Sequence, residues 1–404
     1  MSTRSKVSLG VVLKNFRKLA RHPWIASKLV ALEGEKRLFN LLYPRARAGR
    51  ARRIRQVSIR ITDLCNLRCH TCGQWGDRGF LHGRDLRDLK RQEVPLERYQ
   101  EVLTDLVRHG HRPTVYLWGG EPMLYEGALE LIEAASTLGL PCSIATNGSR
   151  IAKEAARLVQ APLFLLQISI DGPTATLHNQ ARPGVGGANN FRDIEEALAA
   201  VHEARQARGR SLPLIASLTT ISRANFRHLV EIYETYRGRV DLFVFYLSWW
   251  IDPQAAQAHE EDFSRRFGFA PRLPWGWVGD WKPDDYLELD RQFQDLRARS
   301  RAWPNPPVTI IPPILGAESL RTYYTDHRAR FGYDQCISIF QAVEIDSNGD
   351  LSPCRDYHDY VVGNIKDATI TELWNNPAYR DFRRSLATEG LMPACSRCCG
   401  LMGY

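Results

Sequence analysis

Between residues 57 and 247, short apolar runs alternate with amphipathic stretches of helical period. The runs, rich in Val, Ile, Leu, Phe and Thr, predict strands at 57–62, 114–118, 142–146, 164–170, 214–220 and 242–247. Helices fit between them. In 96–108 Leu96, Tyr99, Val102, Leu103 and Leu106 share one face, and 191–207 is similar. Strands separated by helices pair in parallel through right-handed crossovers. Six such units predict an α/β fold, a partial (β/α)6 barrel of parallel strands rather than the closed eight-stranded form.

The pattern changes at both ends. Upstream, Val12, Phe16, Leu19, Trp24, Ile25, Leu29, Leu32, Leu38, Leu41 and Leu42 recur near helical spacing, with Pro23 placed to open a helix. Six arginines between 45 and 55 mark a boundary. Residues 1–54 therefore read as a basic amphipathic helical segment and 55–250 as the barrel. Six of the ten tryptophans follow (Trp249, Trp250, Trp275, Trp277, Trp281, Trp303), with Pro304, Pro306, Pro307, Pro312 and Pro313. The stretch 251–330 is accordingly expected to be an irregular connecting or capping segment around one helix at 284–302. Residues 331–404 form a last, cysteine-bearing unit.

With 44% hydrophobic residues, 404 positions can fill cores in two or three units, and 25% charged residues disfavour disorder. Apolar runs stop far short of the roughly 20 residues of a membrane helix. Lys14, Arg17 and Lys18 interrupt the N-terminal run and no small-residue cleavage site follows, so a cytoplasmic protein is expected. The net charge of +9 is local: residues 1–60 hold sixteen Lys and Arg against Glu33 and Glu35, which is +14 and leaves −5 for the rest. Such a segment, with Phe16, Trp24 and Phe39, suits peripheral contact with the inner membrane surface and a lipid- or sugar-linked substrate. Basic helices packed on the barrel, charges in water, are the alternative; nucleic acid is not an expected partner. Nine cysteines, an odd number, read as metal ligands or core thiols in a reducing compartment.

Directly after the first strand, Cys65, Cys69 and Cys72 form a CxxxCxxC loop. Three thiolates from one loop can hold three irons of a cubane and leave the fourth open to chemistry. A zinc site completed by His70 or a distant residue, or three buried thiols, are the other readings. The next three strands also end in distinctive loops: Trp118-Gly119-Gly120-Glu121-Pro122, Ala145-Thr146-Asn147-Gly148 and Ser169-Ile170-Asp171-Gly172-Pro173. In a parallel barrel these loops meet on one face. Glycines there allow close backbone approach to a ligand and leave carbonyls for an ammonium group, with Glu121 adding negative charge.

Over about residues 55–250 the sequence resembles the radical S-adenosylmethionine (SAM) superfamily. The resemblance implies a [4Fe–4S] cluster on Cys65, Cys69 and Cys72, whose open iron is chelated by SAM. It implies SAM contacts from Gly119, Gly120, Glu121 and Pro122, with Asn147, Ser169 and Arg182 in the cofactor-binding set; a surface charge is the plainer reading of Arg182. Many members place an aromatic residue before the third cysteine. Here Thr71 stands there, so either backbone contacts suffice beside the adenine or Trp75 takes the packing role. The chemistry implied is one-electron cleavage of SAM to a 5′-deoxyadenosyl radical, with flavodoxin or ferredoxin as electron donor.

At the C-terminus Cys336, Gly349 and Cys354 give CX12GX4C, followed by Gly363-Asn364-Ile365 and then Cys395, Cys398 and Cys399. Four thiolates fully ligate a cluster suited to electron transfer; a zinc ribbon is the alternative. This unit resembles the SPASM domain of radical SAM enzymes. The chain stops at Tyr404, and the cysteines present imply one auxiliary [4Fe–4S] cluster, as in the shortened twitch variant, on Cys336, Cys354, Cys395 and Cys398. Cys142, in an apolar strand, reads as core. Cys399 is an alternative ligand, a spare thiol, or a hydrogen-atom donor to a substrate radical.

The Trp-rich segment either lines a pocket for a sugar, apolar chain or peptide side chain or simply packs a cap. Asp241, Tyr246 and Asp252 are candidate proton acceptors near the end of the sixth strand. The expected function is a radical SAM enzyme taking hydrogen from an unactivated C–H, on a peptide side chain or a small molecule in a maturase-like reaction. The same chemistry on a lipid or sugar at the membrane, and a non-catalytic zinc or iron–sulfur binder, are the alternatives.

Overall fold

The computed structural model describes residues 49–402, so the basic helical segment expected at 1–54 lies, up to residue 48, outside the described residues. One ten-stranded sheet organises the chain: β1 Gln56–Thr62, β2 Thr114–Gly119, β3 Cys142–Thr146, β4 Leu165–Ser169, β5 Leu214–Thr220, β6 Leu242–Tyr246, β7 Val308–Ile311, β8 Ala342–Ile345, β9 Asp350–Ser352 and β10 Gly363–Asn364. Their spatial order is β10-β9-β8-β1-β2-β3-β4-β5-β6-β7. From β8 to β7 every neighbouring pair is parallel, whereas β8, β9 and β10 form an antiparallel meander. β1 is buried along nearly its whole length, which explains its near-continuous apolar run.

Helices cover the outside. Leu96–Arg108 turns Tyr99, Val102, Leu103 and Leu106 into the core, and Asn190–Ala207 starts at Asn189, whose side chain accepts from the Arg192 amide. The six expected strands form within a residue or so of their expected ends.

The sheet is larger than six strands, and the stretch 251–330 is more regular than expected. β7 lies there, pairing only with β6 at the edge of the sheet. Pro306, Pro307, Pro312 and Pro313 bracket it, and an edge strand tolerates such neighbours because its outer amides need no partner. Two further helices also fall in this stretch: Pro253–Phe267, capped by Asp252 and ended by Gly268, and Ala317–Thr325. The expected helix is Tyr286–Arg301. β8 comes from the cysteine-bearing C-terminal unit and pairs with β1, so that unit continues the sheet.

A buried ionic chain fixes this junction. Arg60 on β1 reaches Asp63 and Asp346, each at 3.1 Å, and Asp346 pairs with the His358 ring. Burial disfavours the charged His358 ring, but Asp346 outweighs it and raises the ring's pKa. Stability from that pair is therefore complete below the ordinary histidine value of about 6.5 and is lost as pH rises through the folded value. The melting temperature is expected to fall as pH is raised from about 6 to about 8, and the slope to flatten in His358→Gln. Equal slopes in the two proteins would contradict this.

Candidate active site

The loops after β1 to β4 meet at the C-terminal ends of the strands. In the first, the Leu67 amide donates to Cys65 Sγ and the Trp75 amide to Cys72 Sγ, each at 3.4 Å. Arg182 Nη1 lies 3.6 Å from Cys69 Sγ. Burial pushes the Cys65 thiol up to about 12 and Cys69 to about 11, and neighbouring cysteines push the same way. Left alone these thiols keep their protons; a bound metal centre removes them. Clustered thiols with amide donors to sulfur and a guanidinium alongside fit an iron–sulfur cluster. His70 turns outward instead, with Nδ1 2.9 Å from Asp77 at the surface, so a zinc site completed by His70 is not formed. Among the described residues no three Cys, His, Asp or Glu side chains are arranged around a single ion. Each cysteine of a cubane binds its own iron, so its ligands need not converge on one point.

The two glycines after β2 lie flush against the chain that enters the cysteine loop. A Cβ on Gly119, at φ +142°, would stand 2.3 Å from the Thr62 carbonyl oxygen, and one on Gly120 would stand 2.1 Å from that of Leu64. Their close approach is thus to the protein's own backbone, where the Gly120 amide donates to Thr62 O (2.8 Å) and the Glu121 amide to Leu64 O (2.7 Å). Glu121 is fully buried. Its carboxylate accepts from Thr146 Oγ1 (2.6 Å), the Asn147 amide (2.7 Å) and the Met123 amide (3.1 Å). Burial still raises its pKa, against the pull of those donors. Asn147 donates in turn to Asn66 Oδ1 (2.8 Å), lacing the first three loops together. Pro122 opens the short turn that follows.

Beyond β4, Asp171 accepts from Arg182 Nε (2.6 Å) and from the Thr220 amide (2.8 Å). Arg182 is no surface charge, since its side chain is only 12% exposed. Ser169 and Arg182 line a cavity of about 360 Å³ together with Thr71, Tyr116, Trp118 and Tyr246. Trp249, Trp250 and Trp277 close one side of it, and Arg355, Asp356, His358 and Cys399 form the wall from the C-terminal unit. A second cavity of about 440 Å³ shares Thr71 and Trp250 with the first and runs past His70, Gln180, Arg223 and Asp280.

Several expected residues lie elsewhere. Trp75 is buried behind the cysteine loop, its Nε1 donating to Asp63 O (2.7 Å) under Arg68, so it does not face the cavity that Thr71 lines. Asp241 precedes β6, at the opposite end of the barrel from the loops, and is held by Arg205 (3.2 Å) and the Ile215 amide (2.8 Å). Asp252 caps a helix. Of these three candidate proton acceptors only Tyr246 reaches the main cavity. Trp281 packs on Phe226 and Tyr324 and lines the second cavity, whereas Trp275 bonds Glu260 and Trp303 is exposed. Cys142 is buried in β3. The residues that sequence reasoning missed, Arg355, Asp356 and His358, carry one local signal: they follow Cys354 directly.

In the C-terminal unit, burial pushes Cys336 up to about 11 and Cys395 to about 12, and the Cys336 thiol adds to the push on Cys395. Cys354 and Cys398 are raised as well, by burial first and by neighbouring thiols and Asp356 after it. These four thiols, Cys395 and Cys398 buried and Cys336 and Cys354 partly so, fit a fully ligated cluster. Cys399 is turned away toward the cavity. Its Sγ donates to Asp356 Oδ1 (2.8 Å) and its amide to Oδ2 (2.7 Å).

The radical SAM superfamily model matches residues 59–234, and the iron–sulfur cluster-binding SPASM model matches 336–399. The chain belongs to the radical SAM superfamily. This radical SAM/SPASM enzyme is 25% identical over 355 residues to the AdoMet-dependent heme synthase of Oleidesulfovibrio alaskensis, covering 85% of this chain and 80% of that one. It is 25% identical over 337 residues to the cysteine-type anaerobic sulfatase-maturating enzyme of Clostridium perfringens, covering 80% of each. Streptococcus suis SuiB bound to S-adenosylmethionine shares the fold, with a TM-score of 0.56 and 16% identity over 82% of this chain and 68% of SuiB. The family's cofactors are SAM and [4Fe–4S] clusters. No helix of the described residues is long and apolar enough to cross a membrane.

Proposed function

We propose that this radical SAM/SPASM enzyme takes a hydrogen atom from an unactivated C–H of a peptide side chain. The observation that carries the reading is the main cavity, with the SAM-side residues Thr71, Ser169 and Arg182 on one wall and the auxiliary-unit residues Asp356 and Cys399 on another. At about 360 Å³ it stands at the small end of ligand sites. With a nucleotide on Ser169 and Arg182, the space left beside Tyr246 and Trp118 suits one side chain better than a macrocycle. The adjoining cavity at Thr71 and Trp250 offers a course for the rest of a peptide. SuiB has been seen bound to its precursor peptide SuiA, which agrees with this reading.

When bound, the open-iron cluster and SAM supply a 5′-deoxyadenosyl radical. The chain's own residues then position and shield. Cys65, Cys69 and Cys72 hold the cluster, Ser169 and Arg182 orient the nucleotide, and the Trp249, Trp250 and Trp277 wall keeps water from the reacting C–H. Cys336, Cys354, Cys395 and Cys398 would hold the auxiliary cluster, while Cys399 gives its thiol hydrogen atom to the substrate radical from the far wall, and the thiyl left behind is returned to the thiol by one electron from the external reductant, passed through the auxiliary cluster, and one proton from water. Cys399→Ala is expected to keep 5′-deoxyadenosine formation and change the product; an unchanged product would reject the donor role.

The substrate class is tested with side-chain-deuterated peptides, the reconstituted enzyme, SAM and dithionite. Deuterium in 5′-deoxyadenosine and a mass shift in the peptide are expected. Transfer from a tetrapyrrole or a lipid-linked sugar, with none from any peptide, would overturn the assignment.

A further inference from the structure

We propose that the exposed basic surface centred on Arg84 and Arg87 is the docking site for an acidic protein carrying a low-potential one-electron cofactor. The inference rests on the reading of Cys65, Cys69 and Cys72 as ligands of the SAM-cleaving cluster, which must receive one electron for each cleavage. The surface belongs to the segment that leaves Cys72 and enters the helix Leu86–Gln92. From 78 to 91 it carries five Lys and Arg against Asp85 and Asp88, or +3, although residues 61–404 together carry −5.

How these charges are engaged separates a docking surface from an internally paired one. Arg91 is paired with Asp88, and Lys90 with Glu93 and Glu126. Arg84 and Arg87 are exposed and have no carboxylate partner among the described residues. Asp85 turns its carboxylate onto the Arg87 and Asp88 amides at the start of the helix. Leu86, between Arg84 and Arg87 in sequence, is 49% exposed and adds an apolar group to this charged segment.

The same segment is the cover of the cluster loop. Beneath it Trp75, Leu81 and Leu89 form a small apolar group that packs directly on Cys65 and Cys72. A carrier seated here would face the cluster ligands across that layer. Arg84 and Arg87 line neither cavity, whereas Arg78 and Phe80 of the same segment line the second and the main cavity. Unpaired positive charge beside a thin apolar cover selects a partner of negative charge, through steering that weakens as salt rises.

The test compares two reductants on one variant. In Arg84→Glu/Arg87→Glu, 5′-deoxyadenosine formation driven by dithionite is expected to stay within about twofold of the native chain, and formation driven by reduced flavodoxin to fall about tenfold or more. The native flavodoxin-driven rate should also drop as salt is raised from about 0.05 M to about 0.3 M, and the variant should lose that dependence. An unchanged flavodoxin-driven rate in the variant, or a native rate indifferent to salt, would overturn the docking site while leaving the cleavage reaction standing. Failure of the native chain with dithionite would overturn the cluster reading itself, and the docking site with it. Arg84→Gln/Arg87→Gln, a milder change, should show an intermediate loss with flavodoxin alone; a loss equal with both reductants would reject docking.

Discussion

Replacing Cys69 with alanine is expected to abolish SAM cleavage while leaving the fold in place. Cys69 is the middle thiol of the loop after β1, and Arg182, fixed by Asp171, reaches its sulfur. Without it the open-iron cluster loses one of three ligands, and iron in the reconstituted protein should drop from about eight to about four atoms per chain. The strands under the loop do not depend on the sulfur, because β1 is held by β2 on one side and β8 on the other. Far-ultraviolet circular dichroism should therefore match the native chain while 5′-deoxyadenosine falls below detection. Full iron content with normal cleavage in Cys69→Ala would contradict the assignment.

A comparably large effect is expected at Arg397, which touches neither cavity's reacting face. It sits between Cys395 and Cys398 and is 1% exposed. Its guanidinium donates to carbonyls of Tyr323, Asp326 (2.9 Å), Ala329 (3.0 Å) and Ser396 (2.6 Å), with the Tyr323 ring 4.3 Å away. Among the described residues no carboxylate is bonded to it, and burial pulls its pKa below the usual arginine value. One side chain thus ties the loop bearing two auxiliary cysteines to the helix Ala317–Thr325. Arg397→Ala strands several buried carbonyls and opens a hole, a combination that costs about 3–5 kcal/mol. The melting temperature should fall and auxiliary iron should be lost, with the first cluster retained. Arg397→Lys should recover little, since a point charge cannot reproduce the guanidinium fork. Normal iron content and an unchanged melting temperature in Arg397→Ala would refute this role.

The sequence displayed what is local. β1 to β6 were legible because each keeps a short apolar run, β1, β5 and β6 being buried along most of their length and β2, β3 and β4 at alternate residues, and the cysteine, GGEP, TNG and SIDGP loops were legible because each follows such a run. β7 was hidden: four residues between proline pairs look like a loop unless the sheet edge beside them is known. The capping signals around Pro253–Phe267, Asp252 in front and Gly268 behind, were present but masked by the surrounding tryptophans. Trp75 and Asp241 were misplaced because nearness in sequence to a motif does not fix the direction of a side chain. The wall of Arg355, Asp356 and His358 depends on β8 pairing with β1, a contact between segments far apart in the chain. No spacing rule announces it. The task of Glu121 was only half visible, since its motif marked it as functional but its three donors come from two different loops.

The most direct measurement is Mössbauer and EPR spectroscopy of the anaerobically reconstituted full chain before and after SAM, followed by dithionite and quantification of 5′-deoxyadenosine. Two [4Fe–4S] signals are predicted, one of them perturbed by SAM and lost in Cys69→Ala, with 5′-deoxyadenosine and methionine released together. A chain with no cubane signal, or one whose spectra ignore SAM and which releases no 5′-deoxyadenosine, would contradict the account.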